Sequence, residues 1–193
     1  MIKFKSPQLF MTMIGCKPKG RHTEQHDIFF GIGDTIADLL PEIYLFWPET
    51  KKKLHLDAWR AVTQVNGHQI KLVKRKTRQV SEQGNLHLYF INLGGYVPGV
   101  FDELHFKILV VANDISSAIS AAKQSVFYQS TGFKGAPSHV DDKYGLDVDE
   151  LYNVEDLLSP EITHQYFIQI KPLKKQTQED EIHLGYMTPD KLK

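Results

Sequence analysis

Four pairs of a histidine and a carboxylate, two positions apart, stand out because they recur between the two halves of this chain. The four pairs are Glu24/His26, His55/Asp57, Glu103/His105 and His139/Asp141. In a β-strand, residues two apart lie on the same face, about 6.6 Å from each other, so each pair can point to one side. Histidine nitrogens and carboxylate oxygens bind zinc and other divalent ions, and the same groups transfer protons in acid/base catalysis.

Two interpretations of these pairs remain open. In the first, two of the three alternating residues His22, Glu24 and His26 join His55 or Asp57 around one divalent metal, the only cofactor that the sequence suggests. In the second, each histidine forms a hydrogen-bonded pair with its neighbour and fixes a loop or strand end. The sequence favours the second interpretation, because it contains neither an HExxH motif nor a cysteine-rich zinc motif.

A basic loop precedes the first pair. Lys17, Lys19 and Arg21 surround Gly20, and exposed glycine N–H groups beside cations can hold an anion. We therefore predict that the ligand-binding residues include Lys17, Arg21 and His22 together with the two polar pairs that follow. The equivalent loop of the second half carries the neutral residues Tyr96, Pro98, Val100 and Phe101.

These residues belong to a unit that the chain contains twice. Residues 9–47 align without a gap on residues 88–126, and glycines, apolar runs and the Glu-x-His pair stay in register. The identical positions are Leu9/Leu88, Gly15/Gly94, Gly20/Gly99, Glu24/Glu103, His26/His105 and Ile36/Ile115. Each unit has two strand-like runs, a helix with one apolar face, and two further strands. Asn66-Gly67 predicts a hairpin in the first unit.

The predicted fold class is α+β, with two tandem β-β-α-β-β repeats. We expect a mixed, mostly antiparallel sheet with helices packed on one face. The predicted boundaries are 1–80 for repeat one, 81–175 for repeat two and 176–193 for a polar C-terminal tail. The second repeat would match His55 and Asp57 with His139 and Asp141, displaced by a longer loop.

Composition narrows the choice of partner. Lys plus Arg and Asp plus Glu both number 23, and this balance argues against a nucleic-acid or acidic-membrane binder. The single cysteine, Cys16, excludes an internal disulfide. No apolar run approaches the roughly 18 residues of a membrane span. We expect a cytoplasmic protein that binds a small anionic ligand or a protein partner, and that could form a homo-oligomer.

The motifs GRHTEQHD, starting at Gly20, and HLDAW, starting at His55, are distinctive. Over these segments the chain resembles a bacterial family of uncharacterised proteins, the domain of unknown function 1543 family. The resemblance is clear in repeat one and weaker from Leu88 to about Asp141. It implies a small soluble bacterial protein with a module present in one or two copies, and it supplies no catalytic residues.

Two functions follow as hypotheses. The preferred one is a non-catalytic ligand- or protein-binding module, or a regulatory module, built by internal duplication. The alternative is a metal-dependent or acid/base enzyme that uses the Glu-x-His and His-x-Asp pairs of repeat one. An enzyme would require Glu24, His26, His55 and Asp57 to converge in one site, whereas a structural role would leave them in separate pairs.

Overall fold

Residues 2–75, 85–96, 99–130, 147–174 and 179–192 are described by this computed structural model. Within them the strands are β1 (Gln8–Cys16), β2 (Gln25–Gly33), β3 (His55–Ala61), β4 (Gln64–Val65), β5 (His68–Lys74), β6 (His87–Tyr96), β7 (Glu103–Ala112), β8 (Asp147–Asn153), β9 (Tyr166–Pro172) and β10 (His183–Met187). The α-helices are α1 (Leu40–Phe46), α2 (Ile115–Ser130) and α3 (Pro160–Gln165). Short 3-10 helices cover Ile36–Leu39, Pro48–Thr50, Val154–Leu157 and Pro189–Leu192.

The fold is α+β, and every strand pair between described residues is antiparallel. The chain forms two compact units. Unit 1 contains Met1–Ser81 and Leu157–Lys193, and unit 2 contains Glu82–Asp156. None of the helices in the described residues is both long enough and apolar enough to cross a bilayer.

Unit 1 is built on a four-stranded sheet with the order β10-β3-β1-β2. Alternate residues of β1, including Phe10, Ile14 and Cys16, face a buried apolar core. The 3-10 turn and α1 cover this face with Ile36, Leu39, Leu40 and Ile43. Because side chains alternate along a strand, Met13 and Gly15 lie on the opposite face, which this helix does not cover.

A second sheet in unit 1 has the order β4-β5-β9. β4 and β5 form the hairpin expected from Asn66-Gly67. Both turn residues have positive φ, 47° and 72°, as a type I′ turn requires. β9 then pairs with the whole of β5, from Lys74 opposite Tyr166 to His68 opposite Pro172.

Unit 2 has a three-stranded sheet with the order β7-β6-β8. Its core face contains Tyr89, Ile91 and Leu93 of β6, and α2 packs there through Ala118 and Ala122. Asp114 caps this helix, since its carboxylate accepts the Ser117 backbone N–H at 2.8 Å. This bond, together with the hydrogen bond that the Ser117 hydroxyl donates to the same carboxylate, holds the pKa of Asp114 below its usual range.

The structure corrects the predicted domain boundaries at the C-terminal side. Residues 157–175, predicted as the end of repeat two, and residues 176–193, predicted as a separate tail, are both assigned to unit 1. Strand pairing is the reason, because β9 completes the β5 sheet and β10 pairs with β3. Asp180 anchors the segment before β10 by accepting the backbone N–H groups of Thr63 at 2.8 Å and Gln64 at 3.1 Å.

Candidate metal centre

The candidate site of unit 1 lies on the sheet face opposite α1. Gly15 of the central strand β1 is flanked by His26 on β2 and by His55 on β3, each directly opposite it in the strand register. Directly paired residues of neighbouring strands point to the same side of a sheet. The two imidazoles therefore lie on opposite sides of Gly15, which has no side chain.

A β-bulge brings Asp57 into the same group. The pairing of β1 with β3 shifts between Met13 and Ile14, so that Met13 faces Ala58, Ile14 faces Leu56, and Asp57 is the extra residue. Leu56 and Trp59 both face the core, an odd spacing that only a bulge allows in a strand. The bulge thus turns the Asp57 carboxylate towards His26 and His55.

The four polar side chains converge on one small volume. The Oδ2 atom of Asp57 lies 3.2 Å from Nε2 of His26 and 3.3 Å from Nε2 of His55. The Glu24 carboxylate lies 3.5 Å from His55 Nε2 through Oε1 and 3.7 Å from His26 Nε2 through Oε2. The two polar pairs of unit 1 are therefore one cluster, not two separate pairs.

Burial divides the cluster into an inner and an outer half. The His55 side chain is 4% exposed, whereas the Glu24 and His26 side chains are 42% and 41% exposed. Two buried atoms of the cluster, Nε2 of His55 and Oδ2 of Asp57, have no hydrogen-bond partner within the described part of the chain. A buried polar atom without a partner costs about 1–3 kcal/mol, so the inner half of the cluster lacks a group that would satisfy it.

Gly15 is required by the packing of the cluster. A Cβ atom at this position would lie 2.7 Å from Oδ2 of Asp57 and closer still to Nε2 of His55. Only glycine leaves these two atoms room to face each other. The glycine that recurs in the sequence therefore forms the floor of the site.

This arrangement suits a first-row divalent metal ion. One ligand atom from each of Glu24, His26 and His55 can be chosen so that all three lie within 4.8 Å of one another. Ligands bound at about 2.0–2.2 Å in a tetrahedron lie roughly 3.3–3.6 Å apart, and the four nitrogen–oxygen separations of the cluster are 3.2–3.7 Å. Cys16 cannot join as a ligand, because it belongs to the core on the other face.

Unit 2 repeats the arrangement around Gly94. His105 lies opposite Gly94, and a register shift between Asn92 and Leu93 makes Asp149 the bulge residue. Nε2 of His105 lies 3.3 Å from Oδ2 of Asp149 and 3.9 Å from Oε2 of Glu103. A Cβ on Gly94 would lie 2.5 Å from Oδ2 of Asp149. Glu103, His105 and Asp149 form a second group whose ligand atoms, all within 4.8 Å of one another, lie close enough together to hold a metal ion.

The strand register identifies a different second polar pair in unit 2 from the one that the sequence predicted. Asp147 pairs with Gly94 as His55 pairs with Gly15, and Asp149 holds the bulge position of Asp57. His139 and Asp141, predicted as the counterparts, lie outside the described residues. The sequence did not reveal this equivalence. The segment between α2 and β8 is longer than its counterpart in unit 1, and it contains the earlier pair His139/Asp141.

The basic residues predicted to bind a ligand lie beside the cluster in sequence but not inside it. Lys17, Lys19, Arg21 and His22 are exposed in the loop between β1 and β2. Gly20 has a φ of +84° there, and the Arg21 N–H donates to the Pro18 carbonyl at 3.2 Å. His22 is not a member of the group of possible metal ligands, which consists of Glu24, His26 and His55.

Cys16 lies buried at the end of β1, and burial, with a smaller contribution from the Glu24 carboxylate, raises the pKa of its thiol. The thiol is therefore protonated at neutral pH and is a poor nucleophile.

Sequence reasoning did not identify the aromatic contacts that the C-terminal strand makes near the cluster. The Tyr186 ring stacks on the His55 ring, with centroids 4.0 Å apart and an angle of 27° between the planes. His183 stacks on Trp59 at 3.9 Å and 19°. Alternation of Ile182, Leu184 and Tyr186 was the available signal for a strand, but it did not indicate which strand would be its partner.

Comparison with known proteins agrees with the resemblance seen in the sequence. Residues 21–72 match the sequence model of a family described as Domain of Unknown Function (DUF1543), and this segment contains all four residues of the unit 1 cluster. No curated protein matches the chain.

A solved structure shares the fold. The crystal structure of a protein Il1583 from Idiomarina loihiensis aligns with a TM-score of 0.61 and 22% sequence identity, over 94% of this chain and 97% of that one. At this identity the likeness concerns the fold alone, and it agrees with the α+β class.

Proposed function

We propose that this chain is a divalent-metal-binding protein whose main site is formed by Glu24, His26, His55 and Asp57. One observation carries the proposal: His55 Nε2 and Asp57 Oδ2 are buried, face each other at 3.3 Å, and have no hydrogen-bond partner among the residues that the structure describes. A cation bound between them would satisfy both atoms at once.

A purely structural role explains this arrangement less well. Hydrogen-bonded pairs that fix a loop place each N–H close to one oxygen, usually at 2.7–3.2 Å and along the N–H direction. Here each histidine nitrogen approaches two carboxylates, and three of the four separations, 3.3, 3.5 and 3.7 Å, exceed this range. Several donors surrounding one point are the arrangement that a metal ion requires.

The donor set restricts the class of metal. Two imidazole nitrogens and two carboxylate groups favour zinc, iron, cobalt, nickel or manganese over calcium and magnesium, which prefer oxygen ligands alone. Zinc is a suitable first choice because its tetrahedral geometry accepts this mixture of ligands.

The preferred use of the metal is the binding of a ligand without catalysis. Glu24 and His26 are about two-fifths exposed, so a bound ion would remain accessible from that side. A small anion could then contact the ion, and the exposed cations Lys17 and Arg21 would favour its approach.

The same exposure supports one alternative, a metal-dependent enzyme. If Glu24, His26 and His55 bound the ion, water could take the open position, and Asp57 could accept a proton from it. Hydrolysis is the reaction class that such a site would serve. Turnover of hydrolysable ester or phosphoester substrates by the metal-loaded protein would support this alternative over binding alone.

We also propose that the two units arose by internal duplication. Several features recur at equivalent register positions, including the glycine floor, the Glu-x-His pair and the carboxylate at the bulge. Gly20 and Gly99 have nearly the same positive φ, +84° and +81°. Unit 2 has Asp147 in place of His55, so it offers one imidazole fewer and should bind a first-row ion more weakly.

The test is metal binding by the full-length chain after treatment with a chelator. A ligand at 100 times its dissociation constant stabilises the folded state by about 2.7 kcal/mol, which is roughly 5–10 °C in Tm for a chain of this size. His55→Ala should remove the larger part of the zinc-dependent shift, the part that the unit 1 site supplies, and His164→Ala, on the exposed surface of α3, is the matched control. If none of the ions named above shifts Tm or gives binding heat in calorimetry, the proposal is wrong.

A further inference from the structure

The C-terminal strand carries a local distortion beside the candidate metal centre. β10 pairs regularly with β3 at His183 and Leu184, and the register then shifts before Met187 pairs with Leu56. Gly185 lies at the shift with a φ of +138°, a conformation that residues with a side chain rarely adopt. The distortion is followed directly by Tyr186.

Tyr186 contacts the buried histidine of the cluster. Its ring stacks on the His55 imidazole at 4.0 Å, while 62% of the Tyr186 surface remains exposed. The hydrophobic effect alone does not account for this placement, because most of the aromatic surface stays in contact with water. The contact instead covers one face of the His55 ring.

The direction of the His55 ring decides where Nε2 points. Groups that orient a metal-binding histidine typically change metal affinity by 10–100-fold when they are removed. A stacked aromatic ring restricts rotation about the bond that joins the imidazole to Cβ, because rotation would drive the two rings into each other.

We propose that the C-terminal strand completes the metal centre and that Tyr186 is a positioning residue that holds the His55 imidazole towards the ion. This inference rests on the proposed metal-binding function. It assigns a role to residues 182–187, far in sequence from the other members of the site.

The same strand provides a matched control. His183 stacks on Trp59 at 3.9 Å, so β10 makes two histidine–aromatic stacks with β3. Trp59 belongs to the apolar core, and His183 is in neither group of possible metal ligands found among the described residues. Loss of this second stack should weaken the attachment of β10 without changing the orientation of His55.

The experiment compares full-length wild type with Tyr186→Ala, Tyr186→Leu, Tyr186→Phe and His183→Ala. Calorimetry with zinc gives the dissociation constant, and the visible absorption of bound Co²⁺ reports the ligand geometry. Tyr186→Ala and Tyr186→Leu should raise the dissociation constant about tenfold or more and alter the Co²⁺ spectrum. Tyr186→Phe keeps the ring and should restore both, and His183→Ala should bind as the wild type does, even if its Tm falls.

The outcomes separate the two proposals. If the wild type binds neither zinc nor Co²⁺, the metal-binding function fails, and this inference fails with it. If the wild type binds and Tyr186→Ala and Tyr186→Leu match it in affinity and spectrum, only the role of Tyr186 is refuted. Equal losses in Tyr186→Ala and His183→Ala would also refute it, since both changes would then act through the attachment of the strand. Tyr186→Leu retains apolar volume, and it provides the test of the stacked ring if the alanine variant does not fold.

Discussion

Gly15→Ala is the substitution that most directly tests how the site is built. The added Cβ would lie 2.7 Å from Oδ2 of Asp57, whereas ordinary contact begins at 3.4 Å, so the carboxylate would have to retreat by roughly 0.7 Å. Metal–ligand distances tolerate only about 0.2 Å. His55 is buried and has little freedom to compensate. We therefore expect zinc affinity to fall by at least about tenfold to a hundredfold.

The effect on stability has two opposing parts. Alanine within a strand is more favourable than glycine by about 0.5–1 kcal/mol, and Gly15 is not among the glycines with positive φ, so its backbone accepts the change. Forcing a methyl group into a filled space costs about 1–3 kcal/mol. The net result should be a loss of about 1 kcal/mol without metal, or roughly 2–4 °C in Tm.

Gly20→Ala is the matched control for this prediction. Gly20 has a φ of +84° with nothing within 4 Å of its would-be Cβ, so alanine there costs about 1–2 kcal/mol of backbone strain and causes no clash. Both variants should lose similar stability in thermal unfolding, but only Gly15→Ala should lose zinc binding in calorimetry. A Gly15→Ala protein that is more stable than the wild type and binds zinc normally would refute the assigned role of this glycine.

Three further outcomes are expected. Asp180→Ala should lower the free energy of unfolding by about 1.5–3 kcal/mol in urea titration, because the carboxylate accepts backbone N–H groups at the start of β4; a loss below about 0.5 kcal/mol would contradict this. Asp114 has a lowered pKa through its hydrogen bonds to Ser117, so its stabilising effect is present above the unfolded carboxyl pKa and disappears as pH falls through the lower folded pKa. Asp114→Asn should therefore reduce the dependence of Tm on pH in the acid range, and an unchanged profile would count against the cap. The double variant Lys17→Ala/Arg21→Ala should keep Tm within about 4 °C of the wild type, since exposed charges contribute about 0–1 kcal/mol. It should bind small carboxylates at the zinc site more weakly in competition assays, and unchanged anion binding would show that the basic loop is not part of the site.

Local features of the chain were predictable from the sequence. Glu24, directly before β2, and His26 within it point to the same side because side chains alternate with a period of two along extended backbone, and their recurrence at Glu103 and His105 marked them as part of the unit. Asn66-Gly67 predicted its hairpin because both residues accept positive φ. These properties depend on a few neighbouring residues, so a single sequence contains all the information they need.

Tertiary structure decided how these parts come together. The bulge that turns Asp57 towards His26 depends on how β3 pairs with β1, and the choice of Asp147 and Asp149 over the expected His139 and Asp141 depends on how β8 pairs with β6. Tyr186 reaches His55 only because β10 occupies the free edge of β3. Backbone hydrogen bonds between strands are alike for almost any residue, so local patterns predict a strand and its faces, whereas its partner and register follow from the packing of the whole unit.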